Sequence, residues 1–235
     1  MKTVLLAGGR GVRLRPLTYT IPKPLLPIGE RPILEEIIDR LEKLGFTDLV
    51  IAVGYRAELI ETYFGDGSQF DVTIQYSRES APLGTAGPLG MVRSQLCANE
   101  PGAGSVLVMN GDLLTEIDLR ALVEAHEAAG NDLTMVTREY QLRHPDGVLQ
   151  LDGDQITGIV EKPAVTDTVN AGIYVFRWSI LDLIPPGSAY EIPDLVNVAA
   201  GSGHRIASYP FSGQWLAIDR PENLEEGARI VGQVE

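Results

Sequence analysis

Apolar residues along the chain fall into short runs separated by amphipathic stretches, and that alternation predicts most of the elements. Val4, Leu5 and Leu6 form a run too short for a helix and mark a buried strand over residues 2–6. Between residues 32 and 45 the period changes. Ile33, Leu34, Ile37, Ile38, Leu41 and Leu44 recur at helical spacing, with Pro32 in the first turn and Gly45 as the stop. A second apolar run over 48–53 gives the next strand, which turns at Gly54. A short helix carrying Leu59, Ile60, Tyr63 and Phe64 ends at Gly65, and a strand follows at 72–76. Thr85 is placed to cap a helix reaching about Leu96, before a strand at 105–109. Asp118 caps a helix with Leu119, Leu122, Val123 and His126 on one face; Gly130 stops it, and a strand follows at 133–137. Strands alternating with helices at this spacing predict βαβ units. The expected fold class is α/β, with a Rossmann-like, mostly parallel central sheet flanked by helices.

The runs shorten past residue 140. Strands are expected at 148–151, 156–160 and 172–176, joined by Gly/Asp turns such as Asp152-Gly153-Asp154. Helical segments near 178–184 and 193–200 interleave with strands near 204–209 and 213–218, and a last helix opens at Pro221 and runs from Asn223 to Val231. This stretch reads as a mixed-sheet half. No Pro/Ser/Gly-rich linker separates it from the first, so one domain over 1–235 is expected, with no internal repeat.

Charge changes the picture at one place. The chain carries a formal net charge of -13, which argues against nucleic acid or an anionic membrane as a partner. Yet the first 29 residues hold Lys2, Arg10, Arg13, Arg15 and Lys23 and no carboxylate; the first acidic residue is Glu30. Gly8, Gly9 and Gly11 stand among these cations, directly after the first strand. Glycines let backbone N–H groups approach and cradle an anion, while Arg and Lys neutralise it, so the loop reads as a triphosphate cradle. A turn whose arginines are merely solvated is the alternative. Leu14 stands where a dinucleotide fingerprint needs its third glycine, and no G-x-x-x-x-G-K-[ST] string occurs. No apolar run reaches the roughly 18 residues of a membrane span, and no leader pattern precedes the first strand. A lone cysteine, Cys97, excludes an internal disulfide, and a cytoplasmic protein is expected.

The string LAGGRGVRLRPLT…PKPLLPIGERPIL resembles the sugar-nucleotidyltransferase (NDP-sugar pyrophosphorylase) family, whose signature G-G-x-G-x-R-L-x-P-L-T is followed closely by P-K-P-L. MNGD (109–112), EKP (161–163), VNAGIYVF (169–176) and GQWLAID (213–219) extend the resemblance over nearly the whole chain. The loop PLGTAGPLG (82–90) is most similar to the mannose-1-phosphate guanylyltransferase branch, here expected without a C-terminal β-helix.

The resemblance implies a nucleotide-diphospho-sugar transferase fold, with 1–140 mainly holding the NTP and 141–235 the sugar phosphate. It implies that Leu6, Ala7, Gly8, Gly9 and Gly11 contact the nucleotide and that Leu83, Gly84 and Thr85 face the base, with Glu79 and Ser80 as weaker base contacts. Arg13 and Lys23 become the catalytic cations, and Asp112, just past a strand end, the ligand of Mg²⁺. Gly147, Glu161, Lys162, Asn170 and Gly172 match the sugar-phosphate positions. In one place the chain departs: the family writes W-x-D where Trp215-Leu216-Ala217 stands, and Asp219, two residues on, is the candidate substitute for the second metal ligand. The implied reaction joins an NTP and a sugar-1-phosphate into an NDP-sugar and pyrophosphate. GTP is favoured, with UTP, dTTP and ATP as alternatives, and a homo-oligomer is left open. Because Ala217 removes a carboxylate, a catalytically weak NDP-sugar-binding regulator is the second reading. A glycosyltransferase, which needs D-x-D, meets Asn110-Gly111-Asp112 instead.

Overall fold

A computed structural model describes residues 1–102 and 104–232. In chain order the elements are β1 (Lys2–Leu6), β2 (Pro27–Ile28), β3 (Arg31–Pro32), α1 (Ile33–Lys43), β4 (Asp48–Val53), α2 (Ala57–Phe64), β5 (Thr73–Arg78), α3 (Gly87–Gln95), β6 (Ser105–Asn110) and β7 (Leu113–Thr115). There follow α4 (Leu119–Ala129), β8 (Leu133–Arg143), β9 (Val148–Asp152), β10 (Gln155–Val160), β11 (Ala164–Arg177), α5 (Trp178–Leu181), α6 (Ile192–Gly201), β12 (Ile206–Pro210), β13 (Trp215–Ala217) and α7 (Pro221–Val231). Three short 3₁₀ turns lie in the loop between β1 and β2.

Seven strands make the central sheet in the order β12-β8-β11-β6-β1-β4-β5. β6, β1, β4 and β5 pair in parallel, as do β12 and β8; β11 runs antiparallel to both its neighbours and joins the two parallel blocks. Strands covered on both faces read as continuous apolar runs, and the two faces divide them by alternation. Leu5, Leu49, Ile51, Leu107 and Met109 pack beneath α1, α2 and α4. Val4, Val50, Val106 and Val108 pack beneath α3, α5 and α6, around Trp178 and Phe176. His126, on the apolar face of α4, is fully buried, and Cys97 packs in the second cluster.

Several expectations change once partners are known. Pro32 ends β3 in an extended conformation and is the N-cap of α1, so it stands just before the first turn rather than in it, and the helix begins at Ile33 where the apolar period begins. Thr85 does not cap α3, which starts at Gly87. Its Oγ1 accepts from the N–H of Ile192, the first residue of α6, and donates to Glu191. β7 went unread because three residues carry no usable period; it exists through its pairing with β13. The strands expected at 133–137 and 172–176 are far longer. β8 and β11 stay paired out to Arg143 opposite Ala164, well beyond the covered sheet, and the β9–β10 hairpin connects them there. Their outer residues are exposed on both faces, so no core alternation marked them as strand.

Candidate functional site

The C-terminal ends of β1, β4 and β6 open into one cleft of about 490 Å³, as expected for ligand sites in open parallel sheets. Gly8, Gly9 and Arg10 line it from the glycine loop, Gly54 and Tyr55 from the end of β4, Glu79, Ser80, Gly84 and Thr85 from the segment after β5, and Asn110 and Asp112 from the end of β6. Leu6 is also in the lining. Ala7, Gly11 and Leu83 are not. Ala7 is buried and bonded to Ala52, and Leu83 bridges Glu79 through its N–H and Tyr190 through its carbonyl.

Gly11 shapes the loop instead. It sits in the left-handed region (φ 56°), and its carbonyl accepts from Leu14 N–H and from the Thr18 hydroxyl. A Cβ there would stand 2.9 Å from Thr18 Cγ2 and 3.1 Å from Lys23 Cβ, so the bare glycine lets the two ends of the loop close on each other. That closure delivers Lys23 to Asp112, and the two form an ion pair with only 13% and 26% of their side chains in water. Asp112 uses Oδ2 for this contact; its Oδ1 is buried with no hydrogen-bond partner.

Arg13 forms a second pair across the same edge, with Asp219 at 2.5 Å. Asp219 is held in reach because Ile218 donates its N–H to the Asp112 carbonyl and Asp219 donates its own to the carbonyl of Ala217. Arg13 and Lys23 therefore each hold one candidate metal ligand. Among the described residues no group of three or more His, Cys, Asp or Glu side chains surrounds a metal position. A hard cation here would need oxygens from phosphate to complete its shell, and the unpartnered Asp112 oxygen is the position from which the protein could contribute to it.

Glu79 carries more than its sequence context suggested. Its Oε2 accepts from Leu83 N–H at 3.1 Å, and its Oε1 lies 2.7 Å from where a Cβ on Gly8 would stand. Gly54 is equally close, so both glycines clear room for this carboxylate at the cleft wall. Burial pushes its pKa up, partly offset by the Leu83 hydrogen bond.

The sugar-phosphate candidates form a second group. Gly147 and Glu161 face each other at the root of the β9–β10 hairpin, where a Cβ on Gly147 would come 3.1 Å from Glu161 Oε2. Lys162 follows in the left-handed region (φ 44°) and is exposed. None of the three lines the cleft. Asn170 and Gly172 lie at an irregularity in β11: Asn170 accepts from Gly172 N–H at 2.9 Å and donates to the Tyr174 hydroxyl at 2.6 Å. Gly172 (φ 75°) presses on Asn110, since a Cβ there would fall 2.6 Å from Asn110 Nδ2. Asn110 thus joins β11 to the cleft. The only sequence signal for it was its place before Gly111-Asp112. Trp215 anchors this side, donating from Nε1 to Ala171 while the Arg138 guanidinium lies 4.0 Å above its ring.

No helix among the described residues is long and apolar enough to cross a membrane. The nucleotidyl transferase family model matches residues 2–233. The mannose-1-phosphate guanyltransferase of Debaryomyces hansenii is 35% identical over 97% of this chain and 63% of its own length. The UTP–glucose-1-phosphate uridylyltransferase of Synechocystis is 34% identical over 98% of this chain and 63% of its own length. The chain therefore spans under two thirds of the curated relatives it matches. Among solved structures, a putative glucose-1-phosphate thymidylyltransferase from Bacillus anthracis in complex with a sucrose superposes with a TM-score of 0.79 at 24% identity, covering 100% of this chain and 96% of that one. HddC from Yersinia pseudotuberculosis complexed with GMP-PN gives 0.75 at 24%, covering 98% and 99%. With a family model matching almost end to end and the glycine loop and Asp112 meeting at one sheet edge, the chain belongs to the nucleotidyl transferase family.

Proposed function

We propose that the chain catalyses transfer of a nucleotidyl group from GTP to a sugar-1-phosphate, with mannose-1-phosphate the favoured acceptor, giving an NDP-sugar and pyrophosphate. The observation that carries this reading is the Lys23–Asp112 pair beside the glycine loop, with one Asp112 oxygen left unpartnered. An oxygen of the sugar phosphate attacks the α-phosphorus, and the bond from that phosphorus to the α,β-bridging oxygen breaks. The nucleophile is already ionised at neutral pH, so no general base is required, and no histidine lines the cleft. What remains for the protein is positioning and neutralising charge. The glycine loop seats the triphosphate, Arg13 and Lys23 offset the charge on the leaving pyrophosphate, and Lys162 aligns the acceptor phosphate from the root of the β9–β10 hairpin. Asp112 would hold Mg²⁺ through its unpartnered oxygen, and the ion would supply further positive charge to the phosphate oxygens.

Glu79 supports guanine over the pyrimidines. Guanine presents two adjacent donors, N1–H and N2–H, which a carboxylate accepts together. Uracil and thymine present one donor flanked by two carbonyl oxygens, which a carboxylate repels. The Debaryomyces relative is named a guanyltransferase, which supports this choice, whereas the Synechocystis relative is named for UTP.

The test is pyrophosphate release from a matrix of NTPs and sugar-1-phosphates with and without Mg²⁺. Mg²⁺-dependent release with GTP and mannose-1-phosphate is expected; release only with a pyrimidine nucleotide overturns the base assignment. A second reading rests on Ala217, which leaves the site one carboxylate short of the family pattern: the chain binds an NDP-sugar and regulates a partner. Tight NDP-sugar binding with no turnover on any pair favours it.

A further inference from the structure

The segment that carries Arg10, Arg13 and Arg15 closes largely on itself. Leu14 donates its N–H to the Gly11 carbonyl, Arg15 to Val12, Tyr19 to Pro16 and Ile21 to Leu17. Two adjacent residues past the end of β4 reach it from outside. Tyr55 donates its N–H to the Gly8 carbonyl at 3.1 Å, and its hydroxyl donates to the Tyr19 carbonyl at 3.2 Å. The Arg56 guanidinium donates to that same carbonyl from Nη2 at 2.8 Å and to the Tyr55 hydroxyl from Nε at 3.1 Å. Gly8 and Tyr19 bracket the three arginines, so one dipeptide holds both ends of the segment. Arg15 is tied to the far end directly, its guanidinium lying 5.0 Å above the Tyr19 ring. Arg56 takes an uncommon backbone to do this. It is the N-cap of α2 in the left-handed region (φ 52°, ψ 40°), where a Cβ is disfavoured, and its side chain makes no capping bond to the helix. Glycine would hold that backbone more easily, so what the position gains from arginine is the contact with the loop.

We infer that Tyr55 and Arg56 are positioning residues: a clamp that fixes the cation-bearing loop at the mouth of the cleft before a polyphosphate arrives. The identity of that ligand rests on the function proposed above; the clamp itself does not. Tyr55 lines the cleft and Arg56 does not, so Arg56 acts through Tyr19 and the loop rather than on the ligand. A loop free to move would lose part of its binding free energy to ordering, and holding both ends in advance removes that loss.

Two measurements on the ligand-free chain test this. Amide hydrogen exchange over residues 12–21 reads the clamp without any ligand. Arg56→Gly keeps the backbone and deletes the guanidinium, and is expected to speed exchange there by about 10-fold or more while the β4 amides stay protected. Tyr55→Phe deletes one hydroxyl with no change of charge and is expected to speed it about 3-fold; it decides the matter if circular dichroism shows the glycine variant misfolded. Titration calorimetry with inorganic tripolyphosphate reads the consequence without depending on base or sugar. Arg56→Gly is expected to weaken binding about 10-fold and Tyr55→Phe about 3-fold, the second with no lost charge to account for it. Unchanged exchange in the folded variants overturns the inference, as does faster exchange with tripolyphosphate affinity intact. A wild-type chain that binds no tripolyphosphate overturns the triphosphate reading instead, and exchange then decides the clamp by itself.

Discussion

The cleft at the ends of β1, β4 and β6 and the arm made by the outer halves of β8 and β11 belong to one sheet, yet different forces hold them. At the cleft the strands are covered on both faces, and each site residue leaves a core position: Gly8 follows β1 and Asp112 follows β6. The arm has its ladder of strand pairing but no covering layer, and Tyr140, Leu142 and Val165 are about half exposed. A residue fixed by the core has one place to be. Gly147, Glu161 and Lys162 sit where little packs against them, so their position relative to the cleft is the softer coordinate. On the function proposed above, the nucleotide side is preorganised and the sugar-phosphate side is carried on an element that a bound ligand can brace.

The largest expected effect tests the cleft. Lys23→Ala or Asp112→Asn should lower turnover by about 10²-fold or more, the usual loss for one preorganised charge stabiliser. Steady-state pyrophosphate release measures it, and near-wild-type rates in both would remove the ion pair from the mechanism. Lys162→Ala is the matching test on the arm. If the softer coordinate is real, the loss should appear chiefly in KM for the sugar phosphate.

Next comes Glu79→Gln, expected to lower kcat/KM for GTP about 10- to 100-fold through loss of a charged hydrogen bond. The same change should stabilise the folded chain. Burial raises the Glu79 pKa, so ionisation disfavours folding at neutral pH and stops doing so below the unfolded carboxylate pKa near 4.3. The variant should therefore melt above wild type at pH 7, with the difference closing as the pH drops through that range. A variant less stable than wild type at pH 7 contradicts the burial argument.

Gly172→Ala is expected to cost about 1–3 kcal/mol in urea denaturation, because alanine in the left-handed region is strained and its Cβ meets Asn110. Thr166→Ser, exposed on the arm, should stay within about 0.5 kcal/mol. A similar cost at both positions would erase the distinction between the regions. The smallest effect concerns His126. Its imidazole is buried against Thr134, at 2.9 Å, and burial lowers its pKa. Stability should be full above the unfolded histidine pKa near 6.5 and decline as the pH falls towards the folded value, by at most one proton's slope. His126→Gln should flatten that decline between pH 7 and 5.

Much of the cleft was legible because its signals are local. The first strand, the glycines and the cations lie within one stretch, and Asp112 stands three residues past the last residue of an apolar run. Where the relevant partner is distant in sequence, reading fails. Thr85 looks like a cap for the helix that follows it, yet its hydroxyl serves α6, more than a hundred residues away. Glu79 looks like a minor contact until Gly8 and Gly54 are seen to clear space for it from two other strand ends.

By itself the sequence determined the alternation of buried strands and amphipathic helices, the loop that gathers cations without carboxylates, and the missing carboxylate at Ala217. Periodicity and composition are properties of neighbours in the chain, so they survive without coordinates. Tertiary structure alone decided that Lys23 meets Asp112 and Arg13 meets Asp219, that β8 and β11 run on past the core, and that Leu149, Leu151, Ile156 and Ile159 of the hairpin end on one uncovered face. Each depends on which distant segments share an edge or a register, and a one-residue slip in register would turn those four side chains to the other face.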